Sequence, residues 1–386
     1  MQSGLDHAGA VGTISRPVGD GPDRPTVRGF RPCSVAIMRL ILAHLAQILV
    51  ACLGGLALHW LGVPAAWLSG AAVATTLWGL TGWAVSMPRA LADAAMLVSG
   101  AAMGAAVTPA AIAAMGRYPG SLVLLVVAVF AICAASTLWL TRVSGWRRAD
   151  AVLASVPGAL STVLAVAADR KADVASIAIA QNLRLFVLIA LLPSLVVFTG
   201  GGENIGALIG EGQPVASPAG MAAVLFGGLA LGAVFKVLKV AAPVLLGATV
   251  VSTLSHATEA VTGVIPPVIA TGGLVLIGIF IAERFRTIQR STLRRALTAA
   301  LGSFLVGMAV ATLFAALAAL LAGVSFADSL VAFAPGGLEA MTVLALVLGL
   351  DPLYVGIHHL VRFLGIGLVL PFVISWLQKG GTPKAR

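Results

Sequence analysis

Two arginines stand where arginine is costly. Arg184 and Arg362 each follow an aspartate, Asp173 and Asp351, by eleven residues within otherwise apolar sequence. At about 1.5 Å of rise per residue, a helix begun at either aspartate carries its arginine roughly 16 Å along, near the middle of a hydrocarbon layer about 30 Å thick. On insertion scales that position costs ~2.5–3.5 kcal/mol unless the charge has a partner or a wet cavity. A guanidinium grips carboxylate or phosphate in a bidentate way, so one reading is an anion site. The other is an internal clamp on a carboxylate or on the carbonyls of a broken helix. Gln181 and His359 each precede an arginine by three residues and share its helical face. His359 could relay a proton or only hydrogen-bond a neighbouring helix. Asp173 and Asp351, the latter followed by Pro352, read as helix N-caps.

A second group of residues sits just upstream of each arginine helix. It comprises Pro157-Gly158 with Ser161 and Thr162, and Pro335-Gly336-Gly337 with Glu339. Proline removes a backbone donor and glycine lets the chain leave the helical region. Irregular backbone at membrane depth is tolerated only inside protein or along a cavity, and interruptions at matching places in two halves point to a transporter site. A half-helix starting after the break would aim its free N–H groups at an anion. Glu339 could neutralise an arginine or carry a coupling proton. The alternative is a plain proline kink. Other chemistries lack their residues. There is no His/Cys cluster at metal-ligand spacing, no nucleophile–base motif and no GxxxxGK[ST] loop. The expectation is therefore no cofactor, no metal and no enzymatic activity. Cys33, Cys52 and Cys133 are too scattered for a disulfide framework, and Asp93 and Glu283 read as interfacial.

The elements that must position these residues follow from composition. Of 386 residues 59% are hydrophobic and only 10% charged, against about 25% charged in soluble domains. That excludes a soluble enzyme, a β-barrel and a disordered scaffold, and leaves an all-α polytopic membrane protein with the lipid bilayer as its main partner. The net charge of +10 is explained by basic cytoplasmic loops, including the arginine run Arg284 to Arg295, rather than by direct nucleic acid binding. Residues 1–37 lack an apolar period and are expected to be a disordered leader, with Met38 a candidate start.

The rest reads as one unit written twice. At a constant offset Pro157-Gly158 pairs with Pro335-Gly336, Leu160 with Leu338, Asp173 with Asp351, Arg184 with Arg362 and Pro193 with Pro371. Earlier in the unit Gly54-Gly55 matches Gly227-Gly228 at a slightly shorter offset. The expected organisation is a first membrane repeat over 38–200, an external linker over 201–219, a second repeat over 220–378 and a cytoplasmic tail over 379–386. If each broken segment enters and leaves on one side, each copy crosses five times and the second is inverted. Every loop lysine and arginine except Arg117 then falls on the cytoplasmic side. If the broken segment spans, the basic residues divide almost evenly. The positive-inside rule thus selects two inverted repeats of five helices, with both termini cytoplasmic.

The duplicated unit, its Pro-Gly break, and the helices with Gln181-Asn182-Leu183-Arg184 and His359-Leu360-Val361-Arg362 resemble the bacterial AbrB-duplication membrane proteins. The stretch Gly62-Val63-Pro64-Ala65-Ala66-Trp67-Leu68-Ser69-Gly70 is similar to that family's first hairpin. The likeness covers about 38–378 and departs in the first hairpin of the second copy, where Lys236 and Lys239 replace an apolar link and Val244 replaces Trp67. It implies a bacterial inner-membrane protein, and family names range from ammonia monooxygenase to membrane regulator of gene expression. Three readings follow: a secondary transporter or exporter of a small, anionic solute; a regulator acting through a protein partner, with a homo-oligomer as a further candidate assembly; and an ammonia monooxygenase, which the absence of a copper ligand set disfavours. For the transporter, Arg184 and Arg362 are expected to face one shared cavity near the midplane.

Overall fold

The computed structural model describes residues 33–107, 113, 116, 118–157, 160–169, 172–200, 214–286, 288 and 290–379. Residues up to Leu40 form one unit, whose described part is the opening of the first helix, and the chain from Ile41 forms a second. Among the described residues regular structure is helical throughout, apart from one isolated bridge between Val215 and Val264. Helix α1 (Cys33–Trp60) starts five residues ahead of the expected boundary at Met38. The physical reason is that no proline or glycine interrupts the chain between Pro32 and Gly54. The rest of the expected leader, and residues 201–213 of the expected linker, lie outside the described residues.

There follow α2 (Ala66–Leu80), α3 (Arg89–Ala106), α4 (Tyr118–Leu138), α5 (Arg148–Ser155), α6 (Leu160–Asp169) and α7 (Val174–Phe198). Then come α8 (Pro218–Val237), α9 (Pro243–Ala257), α10 (Pro267–Ala282), α11 (Arg290–Ala322), α12 (Phe326–Phe333), α13 (Leu338–Val347) and α14 (Pro352–Lys379). Proline opens α8, α9, α10 and α14, where its missing N–H would have had no intrahelical partner anyway. Ser217 and Ser325 cap α8 and α12 through their hydroxyls. Six stretches are long and apolar enough to cross a bilayer: Ile37–Trp60, Tyr118–Val143, Val174–Phe198, Pro218–Val237, Pro267–Phe285 and Ser291–Ala322. Large apolar side chains stand exposed on them, among them Leu45, Leu49 and Leu53 on α1, Val127 and Phe130 on α4, and Leu313 and Leu320 on α11. In water such stripes would drive aggregation; against lipid they are the expected surface.

Helix packing crosses between the two halves. Helix α2 lies against α10, α3 against α9, and α4 against α11. Small residues allow this closeness: a Cβ on Gly104 of α3 would stand 2.5 Å from Ser252 Cβ of α9, and the Ser252 hydroxyl donates to Ala101 O at 2.7 Å. The short helices α12 and α13 are buried almost all round, with Phe333, Met341, Val343 and Leu344 at 0% exposure. A helix apolar on every side belongs in the interior, so these two run inside the bundle and not along its lipid face.

Among the described residues, a helix ends just before each of Pro157 and Pro335 and another begins after it. Helix α5 ends at Ser155, with Val156 extended at φ −65, ψ 122, and α6 begins at Leu160. Helix α12 ends at Phe333, Ala334 turns extended at φ −55, ψ 137, and α13 starts after Gly337 at φ −89, ψ 150. Left-handed residues recur in step along the two halves. Gly62 (φ 69) is matched by Lys239 (φ 57), Ala65 (φ 54) by Ala242 (φ 47), Gly82 (φ 86) by Glu259 (φ 57) and Gly145 (φ 70) by Gly323 (φ 62). A positive φ is uncommon outside glycine, so Lys239, Ala242 and Glu259 hold conformations that their own side chains do not favour.

Candidate functional site

Each break leaves the last carbonyls of a short helix without intrahelical donors, and a helix C-terminus carries partial negative charge. The arginine helices answer both needs. From α7, Gln181 Nε2 donates to Leu153 O at 2.9 Å, while Arg184 Nη1 and Nη2 donate to Ser155 O and Val156 O, both at 3.4 Å. From α14, His359 Nε2 meets Val331 O at 3.0 Å, while Arg362 Nη1 and Nη2 donate to Ala334 O and Gly336 O, both at 2.6 Å. The geometry is repeated but the grip is unequal. Arg362 is 5% exposed, and its Nη2 also meets His359 Nδ1. These contacts assign the His359 proton to Nε2, leaving Nδ1 as acceptor. Arg184 makes two bonds near the limit of hydrogen-bond length, and its buried Nε has no partner.

Arg184 also borders a polar cavity of 270 Å³ that Arg362 does not reach. Helix α7 contributes Gln181, Asn182, Arg184 and Leu185, and the break and first turn of α13 contribute Pro335, Gly336, Gly337, Leu338 and Glu339. Ala241 from the α8–α9 link, Arg284 from the turn after α10, and Phe363 of α14 complete it. Arg284 packs over the Phe280 ring, 5.9 Å from its centroid. Asn182 Nδ2 donates to Arg284 O at 3.3 Å, whereas Asn182 Oδ1 is buried with no donor facing it. Glu339 is partly buried, and no ion pair joins its carboxylate to either arginine. No side chain caps α13, and Gly337, Leu338 and Glu339 at its start line the same space, which puts the positive end of the helix dipole at the cavity.

The structure thus brings together Gln181, Arg184, Pro335, Gly336, Gly337 and Glu339 from among the residues expected to act. Arg362 and His359 are instead spent on the carbonyls of α12, and Arg362 borders a separate apolar cavity of 150 Å³ with Cys133 and Phe130. The expected sharing of one cavity by both arginines is therefore not what the geometry has: His359 and the Ala334 and Gly336 carbonyls hold Arg362 out of its lining. Pro157 is buried and does not line the polar cavity. Gly158 lies outside the described residues, as do the side chains of Ser161 and Thr162. Asn182 and Arg284 were not among the expected site residues. The signal for Asn182 was its place beside Gln181; Arg284 looked like one more loop charge.

Away from the cavity, both aspartates cap their helices. Asp173 accepts from Ser176 N at 3.1 Å and from Ser176 Oγ at 2.7 Å. The Ser176 hydroxyl is the main reason its carboxyl is held below the usual range. Asp351 Oδ1 accepts from Leu353 N at 2.9 Å and Tyr354 N at 3.1 Å, while its Oδ2 takes the Tyr118 hydroxyl at 3.0 Å. Asp328 Oδ1 in turn accepts from Asp351 N at 2.7 Å. His358 bonds Ser121 Oγ at 2.9 Å and Tyr354 O at 2.8 Å. Among the described residues no group of three or more His, Cys, Asp or Glu is placed to hold a metal ion.

A bundle of apolar helices, six of them long enough to cross a bilayer, with a charged cavity set among broken segments, defines a multi-pass membrane protein. Within that class, residues 67–378 match the family model described as Transition state regulatory protein AbrB. The chain belongs to this family, the membrane AbrB-duplication family. No curated protein and no solved structure matches it.

Proposed function

We propose that the protein is a secondary transporter or exporter of a small anionic solute, built as two inverted repeats with both termini cytoplasmic. The single observation that carries this reading is the 270 Å³ cavity. Within an apolar bundle it combines a half-satisfied guanidinium, a second guanidinium and the uncapped start of a broken helix, all of which favour negative charge. No bond-making step is assigned to it.

The repeat is supported by three further features. The bonds from Gln181 and Arg184 to the end of α5 are echoed by those from His359 and Arg362 to the end of α12. Left-handed residues recur in step. The packing between halves is reciprocal, second helix on third and third on second, with fourth on fourth. Reciprocal contact is the signature of a two-fold relation and not of translation. Arg284 and Ala241 belong to the basic loops that the positive-inside rule puts in the cytoplasm, so the cavity corresponds to an inward-facing state of an alternating-access cycle.

The test is a thermal-shift screen of detergent-purified protein against anionic metabolites. A ligand at a hundredfold excess over its Kd stabilises by about 2.7 kcal/mol, and that shift is expected in the wild type and absent in a folded Arg184→Gln variant. A screen in which no anion stabilises the wild type counts against transport of an anion.

A further inference from the structure

The cavity is not lined as a simple anion would need. Its cations are Arg184, whose two hydrogen bonds are both 3.4 Å long, and Arg284, which stacks on Phe280 and is in no ion pair among the described residues. Lining the same space is Glu339, whose carboxylate only accepts and, among the described residues, is in no ion pair. A carboxylate left unpaired within an apolar bundle is costly, and a plain dicarboxylate offers it no hydrogen. Such ligands would also set their own charge beside that of Glu339.

We infer, building on the transport reading, that the cavity takes an ammonium-bearing dicarboxylate of net charge −1. Its carboxylates meet Arg184, Arg284 and the open start of α13, and its ammonium donates to Glu339. The charge count favours this class. Two guanidiniums against one carboxylate leave a single positive charge, which two carboxylates and one ammonium on the ligand neutralise. A cavity of 270 Å³ has room for a small solute, since about 10–15 Å³ on the same measure admits one water.

Full-length protein in detergent is titrated calorimetrically with L-glutamate, L-aspartate, glutarate and succinate, and separately with inorganic phosphate. The expected result is that at least one amino compound binds ten or more times as tightly as its deaminated counterpart. In Glu339→Gln that ratio should fall below about threefold, whereas Glu339→Asp should keep it and Arg184→Gln should weaken both classes together. Equal binding of glutarate and glutamate by the wild type overturns the inference, as does a ratio that survives in Glu339→Gln. Binding of phosphate with none of the four carboxylates also overturns it and leaves anion transport standing. Binding of no anion at all removes both readings.

Discussion

At the residue scale, the two arginines make the same kind of bond for different ends. Arg362 neutralises the end of α12 with two short bonds and orients His359. Removing it leaves the Gly336 carbonyl without the arginine's donor and the Ala334 carbonyl with the Gly336 N–H alone, and bonds to charged groups contribute about 1.5–3 kcal/mol each. Arg362→Gln should therefore unfold several degrees below the wild type in a detergent melt. Arg184→Gln loses two 3.4 Å bonds and should melt much closer to it. A reversed order would contradict the division of labour between the two. Asp173 offers a pH test. Its folded-state carboxyl titrates below its ordinary value, so the cap's stabilisation is present above the unfolded pKa, about 3.9, and is lost as pH falls through the folded value. Asp173→Ala should cost about 1 kcal/mol at neutral pH, and the gap in melting temperature from wild type should close as the pH is lowered past 4. The polar residues of these helices were legible in the sequence because a charge in an apolar run has few innocent explanations. Which arginine stays available was not, since it turns on His359 against Gln181 as neighbour and on Arg284, a hundred residues from Arg184 along the chain.

At the element scale, breaks and small residues set the architecture. Pro157 and Pro335 announce the interruptions, and the helices stop within two residues of each. What apolar sequence conceals is register. Gly54-Gly55 and Gly227-Gly228 look alike, yet Gly55 lies against Trp67 while Gly232 lies against Val244. The glycines with equivalent contacts are thus Gly55 and Gly232, one helical turn from the match that letters suggest. Periodicity cannot separate such choices where almost every residue is apolar, because only the partner helix distinguishes the faces. The α3–α9 crossing is the clearest case of a contact that glycine permits. A larger side chain at Gly104 meets Ser252 and the Thr249 carbonyl, and neither is the far end of a flexible chain. Gly104→Leu should force the two helices apart, at a cost of about 1–3 kcal/mol for overpacking, whereas Gly116→Leu meets nothing within 4 Å and should leave the melt unchanged.

At the scale of the whole molecule, the two halves meet reciprocally, and an inverted pair makes a claim about sidedness that a parallel pair does not. Trp83, after α2, and Ala260, after α9, hold corresponding places beside the left-handed residues Gly82 and Glu259, and both are exposed. A parallel duplication would put them on one face of the membrane. Inversion puts Trp83 in the cytoplasm, with the loop that carries Arg89, and Ala260 outside. Ser86 Oγ and Met87 N both donate to Glu283 Oε1, at 2.5 and 3.3 Å, tying the α2–α3 link to the turn that carries Arg284. The measurement is labelling of Trp83→Cys and Ala260→Cys, each in a chain lacking Cys33, Cys52 and Cys133, by a membrane-impermeant maleimide applied to intact cells and to inside-out vesicles. Ala260→Cys should label in cells and Trp83→Cys only in inverted vesicles. Labelling of both from the same side would rule out the inverted arrangement and, with it, the placing of the cavity mouth in the cytoplasm.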